Sequence, residues 1–364
     1  MRVAIIFDQP HWTGIGTYAV SLYDLLKTRI EGLKLIYAGA VEDYHHYYAQ
    51  KPYLKRTNTL LLRPRVIRSN YKNILKDSEL SCYLFHYVGT DFYALKWREG
   101  IITIHDLIKD RIAFPTKGGI MKSLDSLERY RKYRETIVLS RKALKIVSIS
   151  YKTHDDLKTK NGLESVVIHH WIRDGIFKER DKTETLKLLH LDPKYKYFLS
   201  VGNDRESKRL DLIKEFSDAL PSNYRLIKIG APVDSKASIN IGRVGDDAYP
   251  LYFNAVEGYL HLSDDEGFGW PIVESLGSLT PVICRDLKIN RELLGNAAIY
   301  VEESLKDEIP RVIKIMENEL FIREIKTRMK EIRKMFSSEN AANEYVRLYE
   351  EAWGKFRPGE ECKG

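Results

Sequence analysis

The chain has 364 residues, too many for one ordinary α/β domain and enough for two of roughly 150–200 residues each. With 43% hydrophobic and 30% charged residues it has a globular composition, which argues against disorder. No run approaches the ~18 uncharged apolar residues of a membrane span, and Cys82, Cys284 and Cys362 are too few and too scattered for a disulfide framework or a metal-ligand pattern.

The net charge of +8 is unevenly placed. Residues 1–180 carry 31 Lys/Arg against 19 Asp/Glu, and residues 181–364 carry 28 against 32. A basic first half reads first as a well-solvated surface and otherwise as a side facing an anionic partner: a lipid surface, a phosphorylated acceptor or nucleic acid. Nucleic acid is not expected, because no recognised module is present and the second half is acidic. The N-terminus lacks the long apolar core and cleavage site of a signal peptide. A cytoplasmic protein is expected, with possible peripheral contact at the inner face of an anionic membrane. Gln occurs only at positions 9 and 50 while Lys, Arg, Glu and Tyr are abundant, which leans towards a heat-adapted source.

In chain order, an apolar strand at 2–7 leads into a loop with Gly14 and Gly16. A helix follows with Tyr18, Leu22, Leu25 and Leu26 on one face. Strands are expected at 33–37, 83–88, 101–104, 146–149 and 166–168, and a helix over about 119–143 with Leu124, Leu127, Tyr130, Tyr133 and Ile137 on its face. The charged run 178–195 reads as a linker. The pattern then restarts, with strands at 197–201, 226–229, 239–241, 258–262 and 281–283. Short apolar strands alternating with helices predict parallel sheets covered on both faces. Ligands of such sheets bind beyond the carboxyl ends of the strands.

The sharpest local signal is Asp265-Glu266-Gly267-Phe268-Gly269-Trp270-Pro271-Ile272-Val273-Glu274. A strand runs into a glycine turn, and a helix is expected from Pro271, since proline suits the first helical turn. Gly267 and Gly269 allow close backbone approach, and a helix N-terminus offers N–H groups to an anion. Glu266 at the mouth of the turn and Glu274 one turn inside the helix suit a ligand with both phosphates and hydroxyl pairs.

This segment resembles the signature of family 4 of the retaining glycosyltransferases, which reads Glu, Gly-Phe-Gly, Pro, and a second Glu after seven intervening residues. The resemblance implies an α/β GT-B fold: two Rossmann-like doubly wound domains facing across a cleft, here 1–180 on the acceptor side and 190–339 on the nucleotide-sugar side. A last helix, about 340–356, would cross back to the first domain. It implies that Glu266 contacts the transferred sugar, that Glu274 holds the ribose hydroxyls, and that Phe268 and Gly269 present backbone N–H groups to sugar and phosphate. Thr13-Gly14-Ile15-Gly16-Thr17-Tyr18 resembles the family's N-terminal glycine loop beside the diphosphate. His105, in Ile104-His105-Asp106, resembles a histidine that reaches the donor sugar. Ser200 to Lys208 resembles the loop that supplies cations to the diphosphate.

Two departures stand out. The family's Arg directly after the strand-end Gly is Asn203 here, although Lys208 matches; Arg205 or Arg209 would have to reach in from the same loop. Where relatives show Ile-Pro-Asn-Gly-Val-Asp, this chain has Ile168-His169-His170-Trp171-Ile172-Arg173-Asp174. The paired histidines are not expected to bind metal, because neighbours on a strand face opposite sides. The resemblance covers roughly 1–25, 100–178 and 195–353, and is weak over 40–95.

The resemblance implies transfer of a hexose to an acceptor hydroxyl with retention, by a front-face route and without a metal. No Asp-x-Asp triplet is present, so cationic side chains and helix N-termini would carry the leaving diphosphate. The catalytic candidates are Glu266, Lys208 and His105. The donor-binding candidates are Gly14, Gly16, Asn203, Arg205, Lys208, Phe268, Gly269 and Glu274. No cofactor is expected beyond the donor substrate, of GDP-mannose or UDP-glucose type, and the acceptor is a glycan, lipid or protein. The competing expectation is a catalytically impaired scaffold that binds a sugar nucleotide or partner without turnover.

Overall fold

A computed structural model describes the chain except residues 11–12, 40–62, 91, 108–129, 132, 303–304, 306–307 and 357–364. The chain divides into two compact units, the first made of Met1–His169 with Glu339–Gly364 and the second of His170–Ser338.

In the first unit β1 (Val3–Phe7), β2 (Lys34–Tyr37), β3 (Leu84–Tyr87), β4 (Ile101–Ile104), β5 (Lys145–Ser148) and β6 (Val166–Val167) form one sheet in the order β2-β1-β3-β4-β5-β6. All its pairings are parallel. Every residue of β1, β3 and β4 is buried, as expected of strands covered on both faces; β1 reads as an unbroken apolar run, while His86 in β3 and Thr103 in β4 are buried polar residues.

Helix α1 (Gly14–Leu26) buries Tyr18, Leu22 and Leu26 on the expected face. Helix α2 spans Arg63–Leu75. Of the helix expected over 119–143, residues 130–131 and 133–140 are described and helical (α3), and the rest lies outside the described residues. Tyr133 and Ile137 are buried, but Tyr130 is 38% exposed and leaves the expected apolar face. Helix α4 covers Tyr151–Asn161.

The last helix, later numbered α12 (Ser338–Trp353), joins this first unit from Glu339 onward. It is fastened there by a buried polar chain. The Tyr18 hydroxyl bonds to those of Tyr345 and Thr103. His86 bonds through one ring nitrogen to Thr103 and through the other to Tyr349, each at 2.8 Å. Burial, with a smaller contribution from His105, pushes the His86 pKa down to about 3, so the imidazole is neutral and has one donor and one acceptor nitrogen.

The second unit opens with α5 (Lys182–Leu188), which lies in the charged run read as a linker. Its sheet has the order β12-β11-β10-β7-β8-β9, again all parallel. The strands are β7 (Lys196–Gly202), β8 (Tyr224–Gly230), β9 (Ser238–Gly242), β10 (Gly258–His261), β11 (Val282–Arg285) and β12 (Ala298–Val301). Between and after them run α6 (Leu210–Asp218), α7 (Tyr249–Ala255), α8 (Trp270–Ser278), α9 (Lys288–Leu294), α10 (Glu308–Met316) and α11 (Glu319–Ile332). Its core gathers Phe198, Phe216, Leu226, Leu260 and Ile283. The two doubly wound α/β units expected from the alternation are both present.

Candidate functional site

The strand order of the second unit creates the site. From β7 the chain steps outward through β8 and β9, then returns to place β10 on the other side of β7. Adjacent strands whose connections leave in opposite directions open a crevice at their carboxyl ends. The β7 end carries Gly202 to Lys208, and the β10 end carries His261 to Gly269.

Lys208 ends a short 3-10 turn, Glu206–Lys208, and its aliphatic stem passes over Gly202. The turn is held to the other strand end by the Asp264 amide, which donates to the Ser207 carbonyl at 2.9 Å. The Lys208 ammonium forms an ion pair with Glu266, whose side chain is 13% exposed. Burial pushes the Glu266 carboxyl up. Lys208, His261 and the Lys208 and Ser263 hydrogen bonds outweigh that push and hold it below the usual carboxylate range. The two expected catalytic groups of this unit, 58 residues apart, thus meet.

His261 adds a group that sequence reasoning missed. Its Nδ1 bonds to the Tyr259 hydroxyl at 3.1 Å. Its Nε2 stands 3.7 Å from the Glu266 carboxylate and has no hydrogen-bond partner among the described residues. Burial dominates and pushes its pKa down to about 4, so the ring is neutral at pH 7. A histidine inside the apolar run Tyr259–Leu262 was the available signal.

Gly269 has φ +100 and caps α8, a backbone conformation that favours glycine. The helix starts at Trp270, one residue ahead of the expected Pro271. The Phe268 ring is buried against His170 and Phe336.

Glu274, one turn into α8, is buried and belongs to a separate group. One carboxylate oxygen accepts from Arg173 at 2.6 Å and the other from the Tyr249 hydroxyl at 2.8 Å. Burial pushes its carboxyl above the usual range against the pull of Arg173 and Tyr249. The structure therefore brings Glu266 and Lys208 together but gives Glu274 different partners. Arg173 comes from the segment that departs from the family pattern, and so does His170, which stacks on Trp270 at 4.3 Å and 9°. That segment braces the glycine turn and α8. Among the described residues no group of three or more His, Cys, Asp or Glu is placed to hold a metal.

Asn203 and Arg205 lie exposed on the β7 loop, and the Arg205 amide donates to the Asn203 side chain at 3.3 Å. Arg209 pairs with Asp211 at 2.7 Å and with Asp264 at 3.0 Å. Of the two arginines considered for the missing cation, Arg209 is thus committed to outer carboxylates.

In the first unit the glycine loop and His105 follow β1 and β4. Thr13 caps α1, its hydroxyl accepting from the Gly16 amide at 3.0 Å, while Gly14 opens the helix and is exposed. His105 lies edge-on to Tyr18 and reaches the Val88 carbonyl at 3.3 Å. Burial pushes its pKa down to about 4, against the Val88 hydrogen bond, so it too is neutral.

Two parallel, doubly wound six-stranded sheets with the C-terminal helix returned to the first unit make this the GT-B fold. The fold is shared with sucrose-phosphate synthase from Thermosynechococcus elongatus (TM-score 0.73, 14% identity, covering 98% of this chain and 100% of that one). It is shared equally with WaaG, a glycosyltransferase involved in lipopolysaccharide biosynthesis (TM-score 0.71, 14% identity, 94% and 99%). HepE of Anabaena, solved with UDP and glucose, aligns with TM-score 0.72 at 13% identity over 96% and 99% of the two chains.

No family model matches the sequence. Among curated proteins, the chain is 24% identical to O-antigen chain mannosyltransferase B of Escherichia coli, over 93% of this chain and 96% of that protein. It is 23% identical to O-antigen chain mannosyltransferase RfbU of Salmonella typhimurium over 56% of this chain, a match spanning only 57% of RfbU. The chain resembles the family 4-like GT-B glycosyltransferases in sequence and in fold.

Proposed function

We propose that this protein is a glycosyltransferase that moves a hexose from a nucleotide-diphosphate sugar to an acceptor hydroxyl, with retention and without a divalent metal. The observation that carries the reading is the Lys208–Glu266 pair at the switch point of the second sheet. Lys208 is a charge-assisted donor for the leaving diphosphate, and Glu266 an acceptor for hydroxyls of the transferred sugar. The backbone N–H groups of Phe268 and Gly269 face sugar and phosphate. Asn203 and Arg205 border the donor from the β7 loop, while Gly14, Gly16 and the neutral His105 are the first unit's own candidates for donor binding. The relatives are named as mannosyltransferases, which favours a GDP-mannose donor over a UDP-glucose type and a glycan as acceptor.

Glu274 is assigned to the ribose hydroxyls. A carboxylate accepts about four hydrogen bonds, and Arg173 and Tyr249 take two. Glu274→Ala is expected to weaken nucleotide binding about tenfold or more. Unchanged nucleotide affinity in the folded variant would remove that role.

A thermal-shift panel of GDP-, UDP- and ADP-sugars tests the whole reading. One donor should raise the melting temperature in a concentration-dependent way, and nucleotide should be released from it with an O-antigen-type glycan acceptor. No stabilisation by any sugar nucleotide would reject the assignment. Stabilisation without turnover across an acceptor panel would favour a non-catalytic scaffold.

A further inference from the structure

We propose that Lys228, buried on the strand next to β7, is the second cation of the diphosphate site and supplies the charge missing at Asn203. The inference rests on the donor reading above. β8 is an apolar strand with Tyr224, Leu226, Ile227 and Ile229 buried, and a lysine is out of place in its middle. Lys228 is 1% exposed, and its ammonium donates to the carbonyls of Gly202 at 2.8 Å and Ile229 at 3.0 Å. No carboxylate among the described residues pairs with it. Of its three N–H donors one has no acceptor there.

A merely structural strut would not need this charge. The Gly202 carbonyl is already satisfied by the Ala231 amide at 2.9 Å. The strand ends are also held in close approach by glycine, since a Cβ on Gly230 would stand 2.3 Å from the Gly202 oxygen. Lys228 instead lines a small cavity together with Lys208, Gly202, His261 and Ser263. Burial, and secondarily the Lys208 charge, push its pKa down to about 8. The charged and titratable groups around it are Lys208, paired with Glu266, the neutral His261, and Tyr259, whose hydroxyl burial holds protonated. The cluster therefore carries one cation in excess of its anions. An oxyanion entering beside Lys208 would relieve the repulsion between the two lysines and complete the third hydrogen bond of Lys228. The ligand class is the diphosphate of a nucleotide sugar.

The test measures affinities of UDP and GDP, with uridine and guanosine as uncharged controls, for the wild type, Lys228→Met and Lys228→Gln. For the preferred base, both variants should bind the diphosphate about tenfold more weakly or worse while nucleoside affinity stays within about twofold. Wild-type diphosphate affinity should also fall from about pH 7 to 8.5, where the uracil and guanine rings keep their own N–H protons, as Lys228 loses its proton, and Lys228→Met should show little of that fall. Unchanged diphosphate affinity, or equal losses for nucleoside and diphosphate, would make Lys228 a strut and overturn the proposal. If Lys228→Met does not fold, Lys228→Gln and the wild-type pH profile decide, and a flat wild-type profile counts against it. A wild type that binds neither diphosphate rejects the donor reading itself, whereas a binding wild type with indifferent variants rejects this inference alone.

Discussion

Lys208→Ala is expected to lower kcat by about 10²-fold or more, with a smaller change in KM. In the proposed transfer the departing diphosphate would gain negative charge in the transition state, and Lys208 is the ammonium that the β7 turn holds at the strand end. Its stem is laid over Gly202 and its turn is tied to Asp264, so its position is set before any ligand arrives. Preorganised charge of this kind acts more strongly on the transition state than on the ground state.

Removing Lys208 also strands Glu266, because Lys208 is the largest of the influences that hold its buried carboxyl low. In the variant, burial acts with less opposition and the carboxyl takes up a proton more readily. A Lys208→Ala/Glu266→Gln double variant, read against Glu266→Gln alone, separates the two effects. If loss of the leaving-group cation is what matters, the double variant is slower than Glu266→Gln alone by about the factor that Lys208→Ala costs the wild type. Equal turnover in the double variant and Glu266→Gln would mean that the defect of Lys208→Ala came from the stranded carboxylate. Wild-type kcat in Lys208→Ala would end the catalytic role outright.

How much of this was legible before the structure depends on the range of each interaction. The strands could be read because parallel sheets covered on both faces need apolar residues at consecutive positions, and Ile101–Ile104 matches its expected bounds to the residue. β12 (Ala298–Val301) was missed although it is as long as β4 and Gly295, with φ +49, closes the helix before it, a turn signal that was available. The glycine turn at 267–269 was visible because positive φ and helix capping are local demands. The partners of Glu274 were not visible, since Arg173 lies 101 residues away and its selection is made by the tertiary fold. Lys228 was hidden for the opposite reason. A single lysine in an apolar strand reads as a solvent-facing position, and only the sheet order shows that both faces of β8 are covered. The His-His-Trp-Ile-Arg departure looked like lost chemistry. In the structure it is a rebuilt support, with His170 against Trp270 and Arg173 against Glu274.

That support can be measured. Arg173→Met keeps much of the apolar stem that lies near Phe177 and Trp270 but removes the guanidinium from Glu274. Breaking a buried ion pair by deleting one partner costs about 3–5 kcal/mol, and the partial exposure of Arg173 places the expected loss near the lower end, about 3 kcal/mol at pH 8. The loss should depend on pH in a definite direction. Burial already raises the Glu274 carboxyl pKa, and without Arg173 it rises further. Below its unfolded value the carboxyl is protonated in both states and the missing partner matters little. As pH climbs through that value the unfolded chain ionises while the folded one resists, so the variant loses stability towards neutral and alkaline pH. Urea unfolding of wild type and variant should therefore show a smaller gap at pH 5 than at pH 8. Glu274→Gln placed on top of Arg173→Met should recover part of the loss, because a neutral amide can keep the Tyr249 contact without a buried charge. A gap that is the same at both pH values and untouched by Glu274→Gln would show that Arg173 acts through packing alone.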